Sequence, residues 1–291
     1  MWNKLGYIGF VLMLLCACQK TERLVEEEPM ARFATFTVDA VKDDATKALS
    51  LDGNTLNAYW KSTESVLVYN TAGELIGTLN VAPAAGEMPA SATLTGTLDV
   101  SGLSVGDNLS LRLPRAAWDY SGQMGVLTGS GSIEELYDYA SASVSIASIG
   151  ENSVQPTSGA HFANEQNIYR FGFYADATPL GVKLFAVDAE SGRIVKRIED
   201  GTSEYGTLKI IPNSPTTELI YTSIRNESVA PESSGDTYYF TIVGSDGSTY
   251  LATKAIPGSV LDRHGRFISA KTIPATKVTL SQYTTETAEV F

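Results

Sequence analysis

The sequence predicts an all-β protein with two antiparallel β-sandwich domains in tandem, and two observations indicate this class. Apolar and polar side chains alternate at period two over most of the chain after Tyr59, as in strands that bury one face and solvate the other. The strands fall into two blocks of roughly seven each, which is typical of sandwiches. Between the blocks, residues 150–167 are rich in Gly, Ser, Asn and Pro. We therefore divide the chain into a first domain over 33–155 and a second over 156–291.

Residues 1–18 resemble the export signal of a bacterial lipoprotein. Lys4 precedes an apolar run over residues 5–17, which is shorter than the ~20 residues that cross a bilayer and fits a signal peptide. The run ends in Leu15-Cys16-Ala17-Cys18. We expect removal of residues 1–17, acylation of Cys18 and a location at the outer-membrane surface. The alternative is an ordinary signal peptide that happens to end in these residues.

The first strand is predicted over residues 32–41, directly after a polar lipid tether over residues 18–32. Phe36, Val38 and Ala40 lie on one face of this strand, and Thr and Asp side chains lie on the other. Lys42 is predicted to end the strand, because two Asp residues follow it. Lys47 then stands as an exposed basic residue in the polar segment beyond.

The remaining elements follow from alternation, turn residues and one capping signal. A short helix is predicted from Ser132, because Glu135 three residues later completes a capping box. Strands in the first domain are predicted over residues 65–69, 75–81, 92–100, 109–113 and 143–149. Strands in the second domain are predicted over residues 168–175, 182–188, 207–211, 219–224, 238–243, 249–255, 267–273 and 277–280.

No motif typical of an enzyme is present in the sequence. It has no nucleophile elbow, metalloprotease helix, phosphate loop or dinucleotide-binding glycine motif. His161 and His264 have no evident nucleophile or orienting acid, so we expect them to be ordinary surface residues. Loss of Cys16 and acylation of Cys18 leave no thiol for a disulfide or metal site. We expect no cofactor and no metal, and the net charge of −12 argues against nucleic acid as a partner.

Two groups of aromatic residues are candidates for contact with a sugar. Tyr169, Phe171 and Phe173 share one face of a predicted strand, and we expect them in the core. Trp118 and Tyr120 lie in a predicted loop, where binding residues are often found. They are the better candidates for adhesion.

Several degenerate motifs together carry a resemblance to a known family. They are the lipobox at Cys18, the first strand, Thr46-Lys47-Ala48, Trp60 with residues 66–69, residues 92–98 and 111–114, Asp138-Tyr139-Ala140-Ser141, residues 167–173 and the hairpin over 238–255. With these motifs nearly the whole chain resembles the fimbrillin-like lipoproteins that build type V pili on Gram-negative gut and oral anaerobes. One departure is Glu64-Ser65, near the place where the family often has Gly-Asp.

The resemblance implies two transthyretin-like sandwiches and a pilus subunit that serves adhesion. Similar subunits are cut at the cell surface by an Arg/Lys-specific protease, lose the first strand and accept a strand from another subunit. We favour a cut at Lys47, because a cut at Arg32 leaves the strand in place. The released strand would hold Phe33, Phe36, Val38 and Ala40, and the donor candidates are Val278, Leu280, Tyr283, Val290 and Phe291.

The resemblance also implies partners. They are other pilus subunits in a homo- or heteropolymer, membrane lipid through Cys18, and a host or bacterial surface ligand. The alternative is a stand-alone lipid-anchored surface module that binds glycan or host protein on its loops.

Overall fold

The all-β prediction is confirmed by a computed structural model, which describes residues 32–42, 49–52, 55–113, 117–199, 201–227, 235–261 and 267–279. Within these ranges the helices are one π-type turn, Ile133–Tyr137, and one α-helical turn, Gly258–Leu261. No helix in them is long and apolar enough to cross a membrane. The strands are β1 (Phe33–Lys42), β2 (Leu49–Asp52), β3 (Thr55–Ala58), β4 (Ser65–Tyr69), β5 (Leu75–Pro83), β6 (Ser91–Asp99), β7 (Asn108–Leu113), β8 (Trp118–Asp119), β9 (Ala140–Ile149), β10 (Ser153–Pro156), β11 (Ala160–Asn164), β12 (Asn167–Ala175), β13 (Thr178–Pro179), β14 (Val182–Ala189), β15 (Val195–Glu199), β16 (Thr202–Tyr205), β17 (Leu208–Ile210), β18 (Ile220–Ile224), β19 (Asp236–Gly244), β20 (Thr249–Ile256), β21 (Phe267–Pro274) and β22 (Thr276–Lys277).

The first sheet closes on itself, and β1 is the strand that closes it. The eight strands follow the order β10-β1-β11-β9-β7-β4-β5-β6, and β1 also pairs with β6. The ladder between β1 and β6 is antiparallel and runs from Phe33 opposite Asp99 to Val41 opposite Ser91. On its other edge β1 pairs in parallel with β10 and then with β11. Both edges of β1 are therefore occupied.

The side chains inside this ring are those that the alternation predicted. Leu94 and Leu98 of β6 are buried, as are all three leucines of β7. They share one core with the inward residues of β1. Burial of one face is what fixes the register of such strands, because a slip by one residue would turn every side chain to the wrong face.

The segment over residues 150–167, which the sequence analysis placed between the two blocks of strands, instead carries β10 and β11. Val154 of β10 and Phe162 of β11 are buried in the core of the first sheet. The Phe162 ring meets Trp60 edge-on, with 5.3 Å between centroids. The two strands are only four and five residues long, and the turn residues around them hide their alternation. The domain boundary at 155/156 stays a prediction.

The second core lies between two further sheets. One has the order β13-β12-β18, with β21 on β12, and the other has the order β17-β14-β19-β20-β22. Phe171 of β12 contacts Phe240 of β19 with 5.0 Å between ring centroids, and Phe173 lies 5.2 Å from Phe185 of β14. The prediction that Tyr169, Phe171 and Phe173 belong to the core is therefore confirmed.

The short helix begins where the capping signal placed it. Ser132 is the N-cap, and its hydroxyl accepts a hydrogen bond from the N–H of Glu135 at 3.2 Å. The Glu135 carboxylate accepts from the N–H of Gly131 at 2.6 Å, one residue before the usual capping-box partner. Ile133 and Tyr137 are buried, which anchors the turn against the second half of the chain through Ile168.

Candidate functional site: the first strand and its groove

The inner face of β1 is a continuous apolar row. Ala34, Phe36, Val38 and Ala40 are all buried, in strict alternation with exposed residues. This confirms the predicted orientation of the strand. Phe33 lies at the start of the strand and is 60% exposed, so it adds nothing to the row. If β1 were absent, the ring would be left with an apolar groove shaped for these four side chains.

Gly96 of β6, the register partner of Phe36, allows β6 to pair closely with β5 next to the groove. A Cβ atom at Gly96 would lie 2.2 Å from the carbonyl oxygen of Thr78 on β5, a distance that real Cβ atoms do not reach. The two backbones can therefore approach so closely only because residue 96 has no side chain. The pairing of β6 with β5 beside the groove therefore depends on this glycine.

Lys42 is the last residue of β1, as predicted, and it is also the fifth inward residue of the strand. Its side chain is 0% exposed, and that of Glu64 is 3% exposed. The Lys42 ammonium donates to the Glu64 carboxylate at 2.9 and 3.0 Å and to the carbonyl oxygen of Tyr59 at 2.8 Å. It also lies 4.2 Å from the centroid of the Trp60 ring, a cation–π contact.

The sequence held a signal for this pair that the two following Asp residues obscured. Lys42 continues the even-numbered positions of Phe36, Val38 and Ala40, so strict alternation already points it inward. Buried charges are almost always paired, and Glu64 is the partner. A lysine stem also packs along apolar surface before its charge, which suits the end of an apolar groove.

Lys61, a second lysine near the Glu64 carboxylate, forms an ion pair of its own. The Lys61 ammonium donates to Glu134 of the helical turn, and the N–H of Lys61 donates to Glu64 at 3.0 Å. Partial burial lowers the pKa of Lys61, but the hydrogen bond and charge of Glu134 outweigh it and leave that pKa above its usual value. Beside the ion pair of Lys61 and Glu134 lies a shallow surface pocket of about 410 Å³. It is lined by Tyr59, Trp60, Lys61, Pro83, Pro89 and neighbouring residues.

Of the predicted cut sites, Arg32 is described and Lys47 is not. Arg32 is exposed directly before β1. Its guanidinium donates to the carbonyl oxygen of Gly150 at 2.5 Å, and its N–H donates to the hydroxyl of Ser101 at 2.8 Å. Cleavage there would leave all of β1 in the ring. Lys47, like Cys18, lies outside the described residues, so its role stays a prediction.

The predicted donor segment is described only at its start. Val278 follows β22, is half-buried, and donates its N–H to the carbonyl oxygen of Thr249 at 2.9 Å. Leu280, Tyr283, Val290 and Phe291 lie outside the described residues. Lys277 reaches Asp246 at 3.2 Å. The pKa of Asp246 is lowered to about 2, first by the N–H and hydroxyl of Ser248 and then by Lys277.

Trp118 and Tyr120, the predicted adhesive residues, are buried in the second core, which corrects their expected exposure. Tyr120 is 0% exposed and meets Tyr139 edge-on at 5.1 Å, and Trp118 stacks on Tyr139 at 5.9 Å. Burial raises the pKa of Tyr120 well above its usual value. Aromatic rings bury large apolar areas, so a loop next to a core folds them inward. Tyr120 therefore presents no surface to an external ligand, and Trp118 presents very little.

Comparisons with known proteins find similarity among solved structures. No protein-family model matches the chain, and no curated protein matches it. A putative cell adhesion protein from Bacteroides ovatus is 12% identical, with 85% of this chain and 96% of that chain covered and a TM-score of 0.42. The tip fimbrial protein Mfa3 from Porphyromonas gingivalis is 11% identical, with 77% and 81% covered and a TM-score of 0.36. A fimbrial assembly protein from Parabacteroides distasonis is 10% identical, with 86% and 97% covered and a TM-score of 0.36. The names of these neighbours agree with the resemblance to fimbrillin-like proteins.

Proposed function

We propose that the protein is a cell-surface fimbrial subunit that assembles by losing β1 and accepting a strand of another subunit in its place. The observation that carries the proposal is the position of β1: it is the first strand of the described chain, and it alone closes the ring between β6 on one side and β10 and β11 on the other. A strand in that position can leave without unthreading any other part of the described chain.

Loss of β1 would leave a surface that cannot stay bare. It would expose two unpaired strand edges, which readily pair with another strand. It would also expose the pocket filled by Phe36 and Val38, each of which contributes about 1.5–3 kcal/mol by its burial. An incoming strand that restores both the ladder and the apolar row would recover most of this stabilisation.

The remaining parts of the proposal concern the path to assembly. The protein is exported as a lipoprotein, held in the outer membrane by acylated Cys18, and cut at Lys47. Its C-terminal segment, with Val278, Leu280, Tyr283, Val290 and Phe291, enters the groove of the next subunit. The fold is two transthyretin-like sandwiches, and the assembled fibre serves adhesion and not catalysis.

The N-terminal residue of the cell-surface form tests the proposal. We expect the assembled protein to begin at Ala48, and a Lys47→Ala variant to remain uncut and unassembled. An Arg32→Ala variant is the matched control and should assemble normally. Assembled protein that still begins at lipidated Cys18 would contradict the proposal.

One observation favours a second function, a stand-alone lipid-anchored module that binds glycan or host protein. β1 is paired on both edges and held by the buried ion pair between Lys42 and Glu64, so the intact chain needs no donor. Specific binding on a glycan array by a monomer that retains β1 would support this function.

A further inference from the structure

We infer that the groove of β1 accepts a strand that carries Lys or Arg at the register of Lys42, and that residues 278–291 of another copy of this chain are not that strand. The inference rests on the proposed function, because it concerns the strand that replaces β1. The inference identifies the chemistry of the partner strand. Its inward-facing positions hold small or apolar residues, and the next inward-facing position holds a basic residue.

The far end of the groove is a site for a cation. With β1 in place, the Glu64 carboxylate is nearly buried and is paired with the Lys42 ammonium. The carbonyl oxygen of Tyr59 and the ring of Trp60 also face this ammonium. All three groups attract positive charge. A replacement strand with an apolar residue here would bury the carboxylate again without its counter-ion, which is strongly unfavourable.

Lys61, the second lysine near Glu64, is not available to replace Lys42 as the counter-ion of this carboxylate. Its ammonium is held by Glu134, whose side chain is only 13% exposed, and a move to Glu64 would leave that carboxylate without its partner. The N–H of Lys61 already donates to Glu64 and brings no net charge. The missing cation must therefore be supplied by the incoming strand.

The pattern required of that strand follows from the register of β1. Four inward positions hold Ala34, Phe36, Val38 and Ala40, and the fifth holds the cation. Because side chains alternate between the two faces of a strand, the basic residue has to be in phase with the apolar ones. A basic residue one position away would point to solvent and leave Glu64 unpaired.

The C-terminal segment of this chain does not meet that requirement. Residues 278–291 contain no Lys or Arg and include Glu286 and Glu289. Lys277 precedes them, but it is out of phase with Val278 and Leu280 and in phase with Thr279. As a donor, this segment would bring apolar residues and no cation to Glu64. It suits the groove of a different subunit, and the groove of this chain suits a different donor.

Peptide exchange on the full chain tests the inference. A sequence-specific protease site is introduced between residues 43 and 47, and the chain is cut so that β1 stays bound without a covalent link. Labelled peptides of residues 33–42 are then added in three forms: unchanged, Lys42→Met, and Lys42→Met combined with Val41→Lys. The third peptide is the matched control, since it keeps the charge and places it on the outer face. Fluorescence anisotropy gives the affinity of each peptide.

We expect the unchanged peptide to bind about 100-fold more tightly than either variant peptide. A peptide of residues 278–291 should bind no more tightly than the two variant peptides. On a Glu64→Gln chain the preference for the unchanged peptide should fall to about tenfold or less, because the buried charge is gone.

Each result is decisive. Equal binding of the unchanged and Lys42→Met peptides would overturn the inference and leave strand exchange standing. Tight binding of the 278–291 peptide would overturn the claim that this segment is not the donor. If no peptide displaces the cut β1, strand exchange itself fails, and the inference fails with it.

Discussion

Replacement of Lys42 by Met tests how strongly the buried ion pair holds β1 in the intact protein. Met keeps much of the apolar stem and removes the ammonium, so a nearly buried Glu64 carboxylate remains without its counter-ion. Removal of one partner of a buried pair costs about 3–5 kcal/mol. The N–H of Lys61, 3.0 Å from the carboxylate, offsets part of this. We expect the free energy of unfolding of the first sheet to fall by about 3 kcal/mol.

Urea unfolding followed by Trp60 fluorescence measures this loss. Trp60 and Trp118 are the only Trp residues after residue 17, so a Trp118→Phe background makes Trp60 a reporter of the first sheet alone. Lys61→Met is the control: its side chain is 42% exposed, so loss of its ion pair should cost less than loss of the fully buried pair of Lys42.

A double replacement separates the charge from the packing. Lys42→Met combined with Glu64→Leu removes both charges, and apolar replacement of a buried pair is often neutral or stabilising. We expect this variant to regain most of the lost stability. A Lys42→Met protein within about 1 kcal/mol of its parent would refute the reasoning, because it would mean that the Glu64 carboxylate is solvated.

Three further predictions concern packing, backbone approach and pH. Phe36→Ala should lower the free energy of unfolding by about 3–5 kcal/mol, whereas the exposed Phe33→Ala should change it by less than about 0.5 kcal/mol; similar urea midpoints for the two would count against the buried row. Gly96→Ala should lower the melting temperature, because its Cβ meets a carbonyl oxygen at 2.2 Å, whereas Gly102→Ala, with nothing within 4 Å, should leave it unchanged. The folded-state pKa of Asp246 is below its usual value, so its stabilisation is present above about pH 4 and is lost as the pH falls through about 2. The melting temperature of Asp246→Asn should accordingly be lower than that of the parent at pH 6 and nearly equal to it at about pH 1, below both pKa values, and an undiminished difference at that pH would contradict this.

The sequence predicted those elements in which one buried face repeats at period two. β1, β6 and β7 were found in this way, with their inward residues, because each has several consecutive alternations. β15 and β16 were missed, since charged residues such as Lys196, Arg197 and Glu204 leave little apolar pattern in short exposed strands.

The sequence failed where contacts depend on segments that are distant along the chain. Trp118 and Tyr120 are buried because β8 pairs with β15 from the second half of the chain, and no local pattern encodes that pairing. The pairing of Lys42 with Glu64 has the same cause. In both cases the residue type was informative, since a Trp is usually buried and a Lys on the inward face of a strand needs a partner. The identity of the neighbouring residues, however, depends on the tertiary fold.

The closed ring also has a consequence for the order in which the protein folds. The parallel partners of β1 are the last strands of its sheet along the chain, and Arg32 contacts Gly150 across 118 positions. Contacts of such sequence separation form slowly, because the loop between them must first be ordered. During synthesis β1 is therefore made before its parallel partners and pairs with them last. Until β1 pairs with β10 and β11, the ring stays open between β6 and these two strands. During this time a chaperone or a competing strand can occupy the position of β1.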